Sequence, residues 1–280
     1  MHRSEAFVDR RAPSPRAAAA SAAAALAFVL LAPPALAAPP VELLSHRAAY
    51  RLSLLRSDGA AGLSQVRGGL VLEWRAACDG WLSQQRLGFV ASADEGPGFT
   101  YDVRFSSWES RDSTQLRFNV RSFDGQELKE EFRGLARLEG PGGAGMATYS
   151  LPEEDEIELP AGTIFPTAHV EQLIEAATAG ERLVTRQVFD GSGEDALTKA
   201  TAVIGDAKTV RRDEGGEERR WPVSLAYFPL AAGGDALPQF EIAFDLSEGG
   251  VLHGVTLDYG EFTLKADLEK LETFARPTCG

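Results

Sequence analysis

Apolar side chains recur at every second position along most of this chain, and no other feature limits its fold as strongly. Tyr50, Leu52 and Leu54 alternate with Arg51 and Ser53, and Val66, Leu70, Leu72 and Trp74 share a face that Gly68 interrupts. Leu116, Phe118 and Val120 alternate with Arg117, Asn119 and Arg121. Phe240, Ile242, Phe244 and Leu246 make another face, followed by Val255, Leu257 and Tyr259, then by Phe262, Leu264, Ala266 and Leu268. Strands with one wet face belong to antiparallel sheets, because parallel strands buried on both sides read as unbroken apolar runs. Asp58-Gly59, Asp79-Gly80, Asp124-Gly125, Gly249-Gly250 and Tyr259-Gly260 fall between the runs at hairpin spacing. A long meander of this kind must hide its edges by curling or closing. The expected fold is therefore mainly β: an antiparallel sheet whose edges are hidden by curling or closing.

One segment leaves this period. After Phe165-Pro166, Val170, Leu173, Ile174 and Ala177 recur at helical spacing, with Glu171 and Glu175 outward. Pro166 suits a helix start and Gly180 a helix stop, which predicts one amphipathic helix over 166–179 packed on the sheet. The charged stretch Lys208–Arg220 reads as an exposed hairpin tip, and Glu153-Glu154-Asp155-Glu156 as a solvated loop.

Residues 1–37 have the layout of a secretory signal peptide. Arg3, Arg10, Arg11 and Arg16 form a basic start, Ala17–Leu31 an apolar run, and Ala35-Leu36-Ala37 a small-residue site with cleavage between Ala37 and Ala38. The run is about 15 residues long, against the ~20 that a spanning helix needs. No cysteine follows the cleavage site, and no later stretch is long and apolar enough to span. The expectation is a periplasmic protein with no transmembrane segment after processing, and one domain over 38–280.

Only two cysteines are present, Cys78 and Cys279. In an oxidising compartment they allow one intramolecular bridge, worth about 5 kcal/mol at most in the chain-entropy limit. Two free thiols or a metal pair are the other readings. With only His46, His169 and His253 beyond the leader, neither is attractive.

The formal net charge is −13, and the leader removes more base than acid. Such a chain is repelled by nucleic acid and by anionic headgroups, so no nucleic-acid partner is expected. No nucleophile elbow, zinc-protease spacing or phosphate-cradling loop occurs, and no catalytic residue, cofactor or metal is assigned. Asp190-Gly191-Ser192-Gly193-Glu194-Asp195 lacks the ligand alternation of a calcium loop and reads as a turn after Val188-Phe189. Asp102 and Glu109 could serve glycosidase chemistry only if they met in a cleft.

Several separated motifs do form a recognisable set. They are Ser45-His46-Arg47-Ala48-Ala49-Tyr50, Cys78-Asp79-Gly80-Trp81, Ser107-Trp108-Glu109-Ser110, the run from Leu159 to His169, Val188-Phe189-Asp190-Gly191-Ser192, and the C-terminal cysteine. Together they resemble the EipB family of alphaproteobacterial cell-envelope integrity proteins, a domain of unknown function. The resemblance implies a periplasmic β-spiral, a curled, open-barrel-like antiparallel sheet, with a disulfide joining Cys78 to Cys279 and a role in maintaining the envelope without an established catalytic activity. Phe165, Pro166, His169, Asp190 and Gly191 become a candidate structural signature or binding surface. The expected function is a non-enzymatic factor binding envelope proteins, lipoproteins or peptidoglycan. The rival readings are an acyl-chain or lipoprotein carrier and a peptidoglycan hydrolase.

Overall fold

A computed structural model describes residues 41–58, 62–193, 195–212, 215–230 and 236–279. The leader and its cleavage site at Ala37 and Ala38 lie outside the described residues, as does Gly59. All strands among the described residues join one 16-stranded sheet. In the N-terminal half, β1 (His46–Ser57), β2 (Leu63–Ala76), β3 (Gly80–Ala93), β4 (Phe99–Ser110), β5 (Gln115–Asp124), β6 (Glu127–Leu138), β7 (Gly145–Leu151) and β8 (Asp155–Leu159) form an unbroken antiparallel meander. The C-terminal half begins with β9 (Thr163–Ile164) and helix α1 (Pro166–Ala179). It continues through β10 (Leu183–Phe189), β11 (Leu197–Ile204), β12 (Lys208–Arg211), β13 (Glu217–Pro229), β14 (Phe240–Ser247), β15 (Leu252–Asp258) and β16 (Phe262–Thr273).

The two halves join where the first and last strands pair. Tyr50 lies opposite Leu268 and Leu52 opposite Ala266 in the β1–β16 ladder. The outermost strands of the sheet are then β8 and β9, which are neighbours in sequence. Only residues 160–162 connect them, so the chain itself draws the two edges together and the sheet curls into a nearly closed barrel. β9 runs parallel to β10, and a parallel pair requires a crossover; α1 is that crossover.

Burial follows the sequence period. Leu116, Phe118 and Val120 are buried while Arg117 and Arg121 between and beyond them are exposed. One core gathers Tyr50, Leu52, Leu70, Leu72, Leu257 and Leu264 with Leu173 and Ile174 of α1. A second gathers Leu116, Phe118, Tyr149, Leu159, Phe165 and Phe189 around the seam. At Gly68 a Cβ would lie 2.2 Å from the Gly88 carbonyl oxygen and 2.5 Å from the Cβ of Phe89, so the gap in the β2 pattern marks a close approach of the β3 backbone.

One local expectation changes and another gains detail. The acidic run continues from Asp155 into edge strand β8, where Glu156 and Glu158 point outward and are exposed. The Lys208–Arg220 tip is itself a strand pair, with Lys208 opposite Arg220 and Arg211 opposite Glu217.

The cysteines are bonded. Cys78, just after β2, meets Cys279 across a sequence separation of 201 with a Cα–Cα distance of 5.6 Å. The C-terminal tail is also held by the Arg75 guanidinium over the Phe274 ring and by Phe274 N–H donating to the Ser45 carbonyl.

Candidate functional site

Helix α1 begins at Phe165, whose side chain offers no cap to the free N–H groups of the first turn. Glu109 of β4 supplies the missing acceptors from across the barrel. Its two carboxylate oxygens accept from Thr167 N–H at 2.7 Å and Ala168 N–H at 3.0 Å. This is N-capping in trans, with both carboxyl oxygens facing the positive end of the helix. Glu109 is 1% exposed. Burial pushes its carboxyl up to about 7, although the helix N–H donors pull the other way.

Asp102 occupies a different place. Seven residues earlier on the same strand, it lies on the opposite face of β4 from Glu109, in a fork of Arg86 at 2.8 Å and Arg104 at 2.7 Å. The hydrogen bond from Arg104 leads in holding its carboxyl below the usual carboxylate range. The strand therefore keeps apart the two acids that hydrolytic chemistry would need together.

The other residues singled out by sequence line the interior. Phe165 is 0% exposed within the seam core, Pro166 opens the helix and is half-buried, and His169 is 5% exposed. Burial, with Arg186 nearby, lowers His169 to about 4, so the ring is neutral around pH 7. Asp190 Oδ1 accepts from Ser192 N–H at 2.9 Å and shapes the turn between β10 and β11, and burial raises its carboxyl. That turn presses inward. Gly191 has φ +79°, and a Cβ there would lie 2.4 Å from the Phe118 ring. The Tyr149 hydroxyl donates to the Gly193 carbonyl at 3.2 Å, and Tyr149 and Phe189 meet Phe118 edge-on. From one side the loop and from another α1 fill the barrel.

The N-terminal motif is likewise built into the architecture. Ser45 Oγ accepts from Ala76 N–H at 2.9 Å, His46 stacks on Trp74, and the Tyr50 hydroxyl donates to the Leu252 carbonyl at 2.7 Å.

A groove of about 740 Å³ lies on the outer face of β3–β7. One rung of its floor crosses five strands: Leu82 opposite Trp108, Trp108 opposite Arg117, Arg117 opposite Leu135, and Leu135 opposite Thr148. The next rung carries Gln84, Ser106, Asn119 and Arg133. Arg137 completes a basic wall, and no Asp or Glu is among the lining residues. Arg133 is paired with Glu131 at 2.7 Å, whereas Arg117 and Arg137 have no carboxylate partner among the described residues. Arg117 instead rests over the Trp108 ring, 4.9 Å from its centroid, and Trp108 Nε1–H donates to Asp79 at 3.3 Å. Sequence reading placed Arg117 and Asn119 on the polar side of β5. Their convergence with Trp108 and Arg133 depends on cross-strand register, which alternation within a strand does not carry.

A profile of the EipB-like family matches residues 37–275. The chain belongs to the EipB-like family. The cell envelope integrity protein EipB of Brucella abortus (strain 2308) is 35% identical over 248 residues, covering 86% of this chain and 88% of that protein. The crystal structure of a beta-barrel-like protein of a domain of unknown function from Brucella abortus matches with a TM-score of 0.77 at 34% identity. That likeness spans 84% of this chain and 100% of the other. The motifs noted above have visible work in this chain: Cys78 in the bridge, Glu109 on the helix, Gly191 against Phe118.

Proposed function

We propose that this protein supports cell-envelope integrity from the periplasm as a non-enzymatic factor that binds envelope components. The observation that carries the reading is its 35% identity, over 86% of the chain, to a protein named for envelope integrity. The signal-like segment at 1–37 and the Cys78–Cys279 bridge support an oxidising compartment. Binding is favoured over hydrolysis because Glu109 caps α1 inside the barrel while Asp102 is held by arginines outside it. The acyl-carrier reading draws less support, since α1 and the turn at Gly191 and Gly193 take up interior space that a lipid chain would need.

The test is deletion of the gene in its own bacterium, with complementation and cell fractionation. Loss of the protein should sensitise cells to detergents and cell-wall antibiotics, wild-type protein should restore resistance, and the processed chain should fractionate with periplasm. Unchanged sensitivity on deletion, or a chain retained in the cytoplasm, would overturn the reading.

A further inference from the structure

The outer groove combines features that ordinary surface charge does not explain. In a chain of formal net charge −13, its lining holds three arginines and no acid. The cation–π contact orients the Arg117 guanidinium without consuming its N–H donors, which remain free for an anion in a fixed plane. Arg137 is exposed and also lacks a carboxylate partner among the described residues. Forked guanidiniums held in this way suit carboxylates. Between them stand the side-chain amide of Gln84, the Thr148 hydroxyl, Asn119, whose Nδ2 donates to Glu131 and leaves its Oδ1 as an acceptor, and Ser106 and Ser150, whose hydroxyls donate to backbone carbonyls and keep lone pairs to accept with. These groups complement a ligand rich in amides and hydroxyls.

Size and shape narrow the choice. A volume of about 740 Å³ falls in the range of small-ligand sites, roughly 300–1,000 Å³. A protein partner would instead call for a patch of roughly 800 Å² on this side. The substantial apolar side chains of the floor are Leu82, Trp108 and Leu135, too few and too dispersed for an acyl chain.

We infer that this groove is a binding site for a carboxylate-bearing saccharide peptide, the chemistry of peptidoglycan fragments. Carboxylates of the peptide pair with Arg117 and Arg137, and the amides and hydroxyls of the ligand meet Gln84, Asn119 and the hydroxyl side chains. The choice of a cell-wall source rests on the envelope reading above; the anion-binding geometry stands by itself.

The decisive experiment is calorimetric titration of the processed, oxidised protein with a soluble disaccharide tetrapeptide released from peptidoglycan. Saturable binding is expected, weakening as salt rises, with at least about a tenfold loss of affinity in the Arg117→Gln/Arg137→Gln double variant. Both side chains are exposed, so the variant's melting temperature should match the wild type. Trp108→Leu, which releases Arg117 from its stacking, should weaken binding to a lesser degree. No binding of the fragment, equal binding by the double variant, or binding only of anionic phospholipid vesicles or an acidic protein peptide would overturn the inference. Complementation separates this inference from the reading it rests on. If the double variant restores the deletion strain as fully as wild type, the groove assignment fails while the envelope role stands. If wild-type protein itself does not restore the strain, the envelope role fails, and the titration still decides what the groove binds.

Discussion

Glu109 and His169 are both buried near the start of α1, and burial moves their pKa values in opposite directions. Glu109 rises from 4.5 to about 7, so the fold holds its proton more tightly than the unfolded chain does. Stability from this group is full below pH 4.5 and declines as pH climbs to about 7. His169 falls from 6.5 to about 4, so its contribution is full above pH 6.5 and declines as pH drops to about 4. The two windows overlap and their slopes cancel between about pH 4.5 and 6.5, so denaturant melts from pH 4 to 8 should show a plateau there, with stability falling below it through His169 and above it through Glu109. Glu109→Gln should cost about 1–3 kcal/mol, because the amide NH₂ then faces a helix N–H donor, and it should flatten the alkaline limb while leaving stability to climb with pH up to about 6.5 through His169. An unchanged alkaline limb would show that Glu109 does not titrate there. Gly191 supports a second prediction. Gly191→Ala places a methyl group against Phe118 at a positive φ, so overpacking of about 1–3 kcal/mol adds to about 1–2 kcal/mol of backbone strain. Combining it with Phe118→Leu should recover part of the packing cost and none of the strain, which thermal melts of the two variants would reveal.

The strands that alternate most cleanly in sequence, β1, β5, β14 and β16, all lie with their apolar face inward. The helix was equally legible, ending at Ala179 before an αL glycine, Gly180. Its cap was not, because helix N-termini are read from local Ser, Thr, Asp or Asn, and here the acceptor comes from Glu109 on β4. The groove was hidden for the same kind of reason: Trp108, Arg117 and Leu135 meet only through register between strands. Strand β8 shows how charge acts at the level of an element. It is an edge with Glu156 and Glu158 exposed, and β9, the opposite edge, is two residues long. Charge and brevity are both ways of preventing edge-to-edge pairing. Glu156→Val with Glu158→Val should leave the barrel folded while raising concentration-dependent aggregation, followed by light scattering. Scattering equal to the wild type would show that the seam itself, rather than the charge, protects the edge.

At the scale of the molecule, closure comes from two unlike devices. The β8–β9 seam joins the sheet edges through three residues of chain, whereas β1 and β16 bring together strands from opposite ends of the sequence. The second pairing carries the larger entropic cost, since a loop of nearly the whole domain must close before its contacts form. The Cys78–Cys279 bridge constrains that same loop, with a sequence separation of 201, so it acts mainly by removing freedom from the unfolded chain. Both cysteines are exposed, which leaves the bridge open to thiol reductants without prior unfolding. Reduction of the native protein, Cys78→Ser and Cys279→Ser should therefore lower stability by a similar amount, up to about 5 kcal/mol in the chain-entropy limit. The double variant should be no worse than either single, because each change removes the same constraint. Oxidised and reduced melts of the wild type, beside those of the variants, test this directly. A single serine variant as stable as the oxidised wild type would mean that the β1–β16 ladder closes the barrel unaided. A double variant weaker than both singles would assign the cysteines contacts beyond their bond.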